Sequence, residues 1–116
     1  MTDHALGARY LTACKALGVD PWRFGMRASN CVRFHKDNLW EILFWCAQGY
    51  VVPDLSDRQT LCAALTVYDE VRIPRPTDPV FLTAATHSLT AHATRTALVE
   101  ALEQLAAERA ACGGAP

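Results

Sequence analysis

The stretch Leu39–Gln48 constrains the fold of this chain more than any other. Asp37 or Asn38 can cap a helix there, and Gly49 can stop it. Leu39, Trp40, Leu43, Phe44 and Ala47 would share one broad apolar face, and Ile42, Trp45 and Cys46 cover most of the rest. Only Glu41 and Gln48, seven positions apart, draw a polar stripe. A helix apolar nearly all round is either central in its fold or in contact with another protein.

The flanking sequence reads as short helices separated by turns. Thr2 or Asp3 can cap a first helix that runs to Leu17 and ends at Gly18, with Leu6, Tyr10, Cys14 and Leu17 on one face. Asp20-Pro21 has the cap-plus-proline form of a helix start, so Trp22–Lys36 is expected to hold one frayed helix or two short ones, weakened by Gly25. Tyr50-Val51-Val52-Pro53 reads as an extended connection, because a residue before proline avoids the helical region. Ser56 and Gln59 match a capping box for a helix carrying Leu61, Cys62, Leu65 and Tyr68. Val71–Pro79 holds three prolines and reads as a stiff linker. Asp78-Pro79 starts a further helix to about Leu89. After a break near Thr90–Thr94, a final helix carries Leu98, Leu102 and Leu105 to about Ala111.

The fold class expected is all-α: a compact array or bundle of five to six short helices, with the apolar helix at about 39–48 in its centre. The 116 residues are the length of one domain, and 51% of them are hydrophobic, enough for a real core. Residues 1–111 are expected to form that domain and 112–116 a flexible tail. The most apolar stretch, Leu39–Val52, has 14 residues and includes Glu41 and Gln48, whereas a membrane span needs about 20. The acidic N-terminus lacks the apolar run of a secretory signal, so a cytoplasmic location is expected.

Charge is unevenly distributed. Residues 1–36 hold six basic and two acidic residues, net +4, and the remainder holds five basic and ten acidic, net −5, which agrees with the overall −1. Arg23, Arg27, Arg33 and Lys36 alternate with Trp22, Phe24 and Phe34. That pattern could serve phosphates and unstacked bases, although the acidic remainder argues the other way.

No other motif carries chemistry. Five cysteines, at positions 14, 31, 46, 62 and 112, form no CxxC pair. Cys31 and His35, four apart, would share a helical face and amount to half a metal site at most. His87 and His92, five apart, would point in different directions. There is no nucleophile elbow and no phosphate loop. The pairs Asp54 and Asp57, Asp69 and Glu70, and Glu100 and Glu103 fall at helix ends or polar faces, where solvated carboxylates are ordinary.

The sequence therefore points to a non-enzymatic accessory or adaptor domain with no cofactor or metal. Trp40, Leu43, Phe44 and Trp45 would be its interface with another protein or with a second copy of itself. Two other classes stay open at this stage. One is a nucleic-acid-binding regulator using Arg23, Arg27, Arg33 and Lys36, and the other is a thiol or metal sensor using Cys31 and His35.

Overall fold

The computed structural model describes residues 3–71 and 91–111. Four α-helices occur among the described residues: α1 (Asp3–Leu17), α2 (Leu39–Ala47), α3 (Arg58–Val71) and α4 (Ala91–Ala111). A single 3-10 turn, Lys36–Asn38, leads into α2. The all-α class holds, and the described residues hold four helices rather than the expected five to six. The helix expected to start at Asp78-Pro79, most of the proline-rich linker and the tail from 112 lie outside the described residues.

The core is built where α1 and α3 pack against α4. Leu6, Tyr10, Ala13 and Cys14 of α1 are buried at three- and four-residue spacing, which places them on one helical face. They join Ala64, Leu65 and Val67 of α3 and Leu98, Val99 and Leu102 of α4 in one cluster. From Ala91 onward α4 runs unbroken, so the break expected near Thr90–Thr94 does not fall within it. Arg9 holds Glu103 with two hydrogen bonds across α1 and α4, one of them Nε to Oε2 at 2.9 Å. The Arg9 guanidinium also holds the Glu103 carboxyl below its usual range. Arg109 of α4 donates to the Val71 carbonyl that ends α3.

Both glycine stops work as the sequence implies. Gly18 (φ +71°) and Gly49 (φ +82°) take the left-handed backbone that other residues resist. Behind them the paired bonds Val19 N to Cys14 O (3.1 Å) and Gly18 N to Lys15 O (3.1 Å) close α1. Tyr50 N to Trp45 O (3.0 Å) and Gly49 N to Cys46 O (2.9 Å) close α2 in the same pattern.

Residues 20–35 are not helical, which corrects the expectation for Trp22–Lys36. Asp20 Oδ1 accepts from Trp22 N at 3.1 Å, a local turn rather than a helix cap. Tyr10 Oη donates to the Pro21 carbonyl at 2.7 Å and ties this turn to α1. The chain then folds back on itself as an irregular hairpin. Phe34 N donates to Met26 O (2.7 Å), and Ala28 N to Val32 O (2.8 Å). At its tip Cys31 N donates to Ala28 O at 2.8 Å, and Cys31 itself has φ +71°. That is a three-residue hairpin loop with cysteine where glycine is usual. The connection 50–54 runs beside the hairpin's first arm, with Ser29 N to Val52 O and Asp54 N to Arg27 O both at 2.8 Å. Val51, Val52, Pro53 and Leu55 are buried there. Isolated bridges join Arg27 to Arg33 and Ala28 to Pro53, and no strand occurs among the described residues.

Asn38, one of the two cap candidates, holds the N-cap position of α2, though without a side-chain cap bond. His35 caps the 3-10 turn that precedes it. Its Nδ1 accepts from Asp37 N at 3.2 Å, and Asn38 Oδ1 accepts from His35 N at 2.9 Å. α3 is capped by Asp57 rather than Ser56, because Ser56 turns back to Asp54. Asp57 Oδ2 accepts from Thr60 N (3.1 Å) and from Thr60 Oγ1 (2.7 Å), and the same carboxylate receives both terminal nitrogens of Arg33 at 2.6 and 3.0 Å. The Arg33 hydrogen bonds, helped by Thr60, lower the Asp57 pKa from 3.8 to about 2.

A carboxyl whose folded pKa lies below its unfolded value stabilises the fold above the unfolded pKa. That stabilisation fades as pH falls through the folded pKa. Glu70 and Glu103 are shifted in the same direction by Arg23 and Arg9. The urea midpoint is therefore expected to hold from neutral pH down to about 5 and to fall between about 4 and 2. Asp57→Asn should flatten part of that fall. An identical acid limb in the variant would show that the cap and the Arg33 pair add nothing.

Candidate protein interface

α2 does not sit at the centre of the fold, which corrects the expectation for 39–48. Ile42 is its single buried residue. Leu39, Leu43 and Cys46 are half-buried on the same side and pack against the core. This side rests on Trp22, just before the hairpin, whose Nε1 lies 3.3 Å from Cys46 Sγ and whose ring lies 5.4 Å from that of Phe34. A nine-residue helix with polar Glu41 and Gln48 has no way to be enclosed on all sides without stranding them. Both remain exposed.

The opposite side of α2 is aromatic and open to water. Trp40 is 81% exposed, Phe44 56% and Trp45 39%, and Tyr50, just past the glycine stop, is 68% exposed. Trp40 and Phe44 are one turn apart and share a face. Phe44 meets Trp45 edge-on at 5.2 Å between ring centroids, and Trp45 meets Tyr50 edge-on at 5.6 Å. These contacts hold three of the four rings as a continuous ridge. Of the four interface residues named from sequence, Phe44 and Trp45 belong to this ridge, Trp40 extends it one turn along the face of Phe44, and Leu43 does not join it, since it packs against the core.

Sequence reasoning missed Tyr50 because it stands outside the helix. The Gly49 turn, which swings the chain back, was the available signal. Phe24 is exposed as well (63%) and stacks on Phe34 at 5.2 Å. With Trp22, Arg23 and Leu39 it borders a cavity of about 200 Å³ at the foot of α2.

The basic residues are held differently from a phosphate-binding stripe. Arg23 grips Glu70 with two bonds of 2.8 Å, and Arg33 grips Asp57. Arg27 Nε stands 3.3 Å from Asp54 Oδ2, close enough for an ion pair but without hydrogen-bond alignment. Three of the four named cations thus face carboxylates on or just before α3, and Lys36 is exposed. Arg27 and Asp54 also border an open cleft of about 530 Å³ shared with His4, Asn30 and Tyr50.

Cys31 and His35 do not share a helical face, since Cys31 is at the hairpin tip and His35 caps the 3-10 turn. No group of three or more side chains able to hold a metal ion occurs among the described residues. Burial pushes the Cys14 thiol up to about 11, so it is an inert core group. No helix among the described residues is long and apolar enough to cross a membrane. The chain matches no family model, no curated protein and no solved structure.

Proposed function

We propose that this chain is a non-enzymatic interaction domain, an accessory or adaptor protein that binds a protein through Trp40, Phe44, Trp45 and Tyr50. The observation that carries this reading is the two-sidedness of α2. One side is docked through Ile42, and the other presents large rings to water. Taking each ring's full surface as roughly 150–250 Å², their exposed fractions leave about 500 Å² of aromatic surface in one patch. That is near the upper end of what a monomer normally leaves uncovered, and such patches mark interaction sites. Rings of this kind bury much area at little entropic cost, which is why they dominate interface energetics.

The pairing of Arg23, Arg27 and Arg33 with carboxylates weighs against nucleic acid as the partner. Each guanidinium would have to exchange an internal anion for a phosphate, with little net gain.

The test is capture from the native host, including untagged copies of the chain itself, with wild-type protein and a Trp40→Ala/Phe44→Ala double variant as baits. The wild type is expected to retain a defined partner about tenfold more than the variant, with the two baits showing the same circular dichroism. Equal retention by both baits, or retention by neither, would overturn the proposal.

A further inference from the structure

We propose that the occupant of the aromatic ridge is a second copy of this chain, paired through α2 about a two-fold axis. The inference rests on the interaction-domain reading above and adds the identity of the partner.

The first support is register. Trp40 and Phe44 lie two positions before and two after Ile42. An antiparallel pair of α2 helices centred at that level sets Trp40 of each copy against Phe44 of the other. A two-fold contact must be complementary to itself, and two unlike aromatic pairs related by symmetry satisfy that condition. They also permit the edge-to-face geometry that aromatic rings prefer.

Charge gives the second support. α2 has no basic residue in its last turn, so the negative end of its dipole lacks a local counter-charge. Lys36, exposed in the 3-10 turn that leads into α2, stands at the end of the helix that the C-terminal end of the other copy's α2 faces in an antiparallel pair. Each chain would then supply the cation that the other's helix end lacks.

Area gives the third. Covering about 500 Å² on each copy removes about 1,000 Å² in total, at the lower limit for a specific interface. The dimer should therefore be weak and visible as a concentration-dependent equilibrium.

Sedimentation equilibrium of the full chain from low micromolar to submillimolar concentration tests this. The wild type is expected to pass from monomer to dimer. Trp40→Ser should weaken the dimer by about tenfold or more without loss of helical signal. Lys36→Glu should weaken it less, and Lys36→Glu/Gln48→Lys should recover part of that loss, since the two helix ends face each other only across the two-fold axis. A chain that stays monomeric throughout overturns the inference, as does a dimer indifferent to Trp40→Ser. If the chain is monomeric yet captures a different protein through Trp40 and Phe44, self-pairing falls while the interaction-domain reading stands.

Discussion

Replacing Ile42 with alanine is expected to lower the stability of the chain by about 3 kcal/mol, whereas Trp40→Ala, two positions earlier in the same helix, should change it by less than about 0.5 kcal/mol. The larger side chain has the smaller effect because the two residues stand in opposite environments. Ile42 is 1% exposed and is the one α2 residue fully enclosed by the core. Truncating it removes buried methyl groups and leaves a cavity in the core beneath α2. Trp40 is 81% exposed, so most of its ring is solvated whether the chain is folded or not. Little transfer free energy is lost when it goes. Urea unfolding followed by far-ultraviolet circular dichroism, at a concentration where the chain is monomeric, measures both without relying on tryptophan emission. Should Trp40→Ala cost as much as Ile42→Ala, α2 is anchored by its aromatic side. The ridge would then be core rather than interface.

The contrast also shows what the sequence could and could not convey. The apolar content of Leu39–Gln48 was plain, and so was the choice it posed between a central and a partner-binding helix. Which side faces inward was not plain, because nearly every position is apolar and periodicity discriminates only between unlike residues. The glycine stops at Gly18 and Gly49 were legible because φ > 0 is a local demand of the backbone. The hairpin at 25–34 was not, for an equally local reason. Its left-handed position carries Cys31 where glycine would have announced the turn, and Asp20-Pro21 gave a competing helix signal. The fate of the arginines was hidden by distance along the chain. Arg33 and Asp57 are 24 positions apart, and Arg23 and Glu70 are 47 apart, so no spacing rule relates them. Read in one dimension, the N-terminal third looks basic, but the fold neutralises it with the acids of the following segment.

Gly7→Ala is expected to destabilise the chain by about 2 kcal/mol, the reverse of what the same change does in an open helix. In a solvated helix interior alanine is favoured over glycine by about 1 kcal/mol. Gly7, however, is buried where α1 crosses the connection to α3. A Cβ there would stand 2.5 Å from the Pro53 carbonyl oxygen and 2.7 Å from Val52 Cγ2. Neither neighbour can step aside cheaply. Val52 is fixed on both polar groups of its backbone, with its carbonyl accepting from Ser29 N and its N–H donating to Ser29 Oγ at 3.1 Å, and Asp54 N is tied to Arg27 O. α1 must therefore lift away, which loosens its contact with buried Val51 and Val52. Ala16→Gly supplies the opposite arm of the test. Ala16 is exposed in the last turn of the same helix, so only propensity acts there and glycine should cost about 0.5 kcal/mol. Thermal unfolding of the two variants should thus show a small residue required at position 7 and penalised at position 16. A Gly7→Ala chain that melts above the wild type would mean that α1 does not approach Pro53 as closely as described.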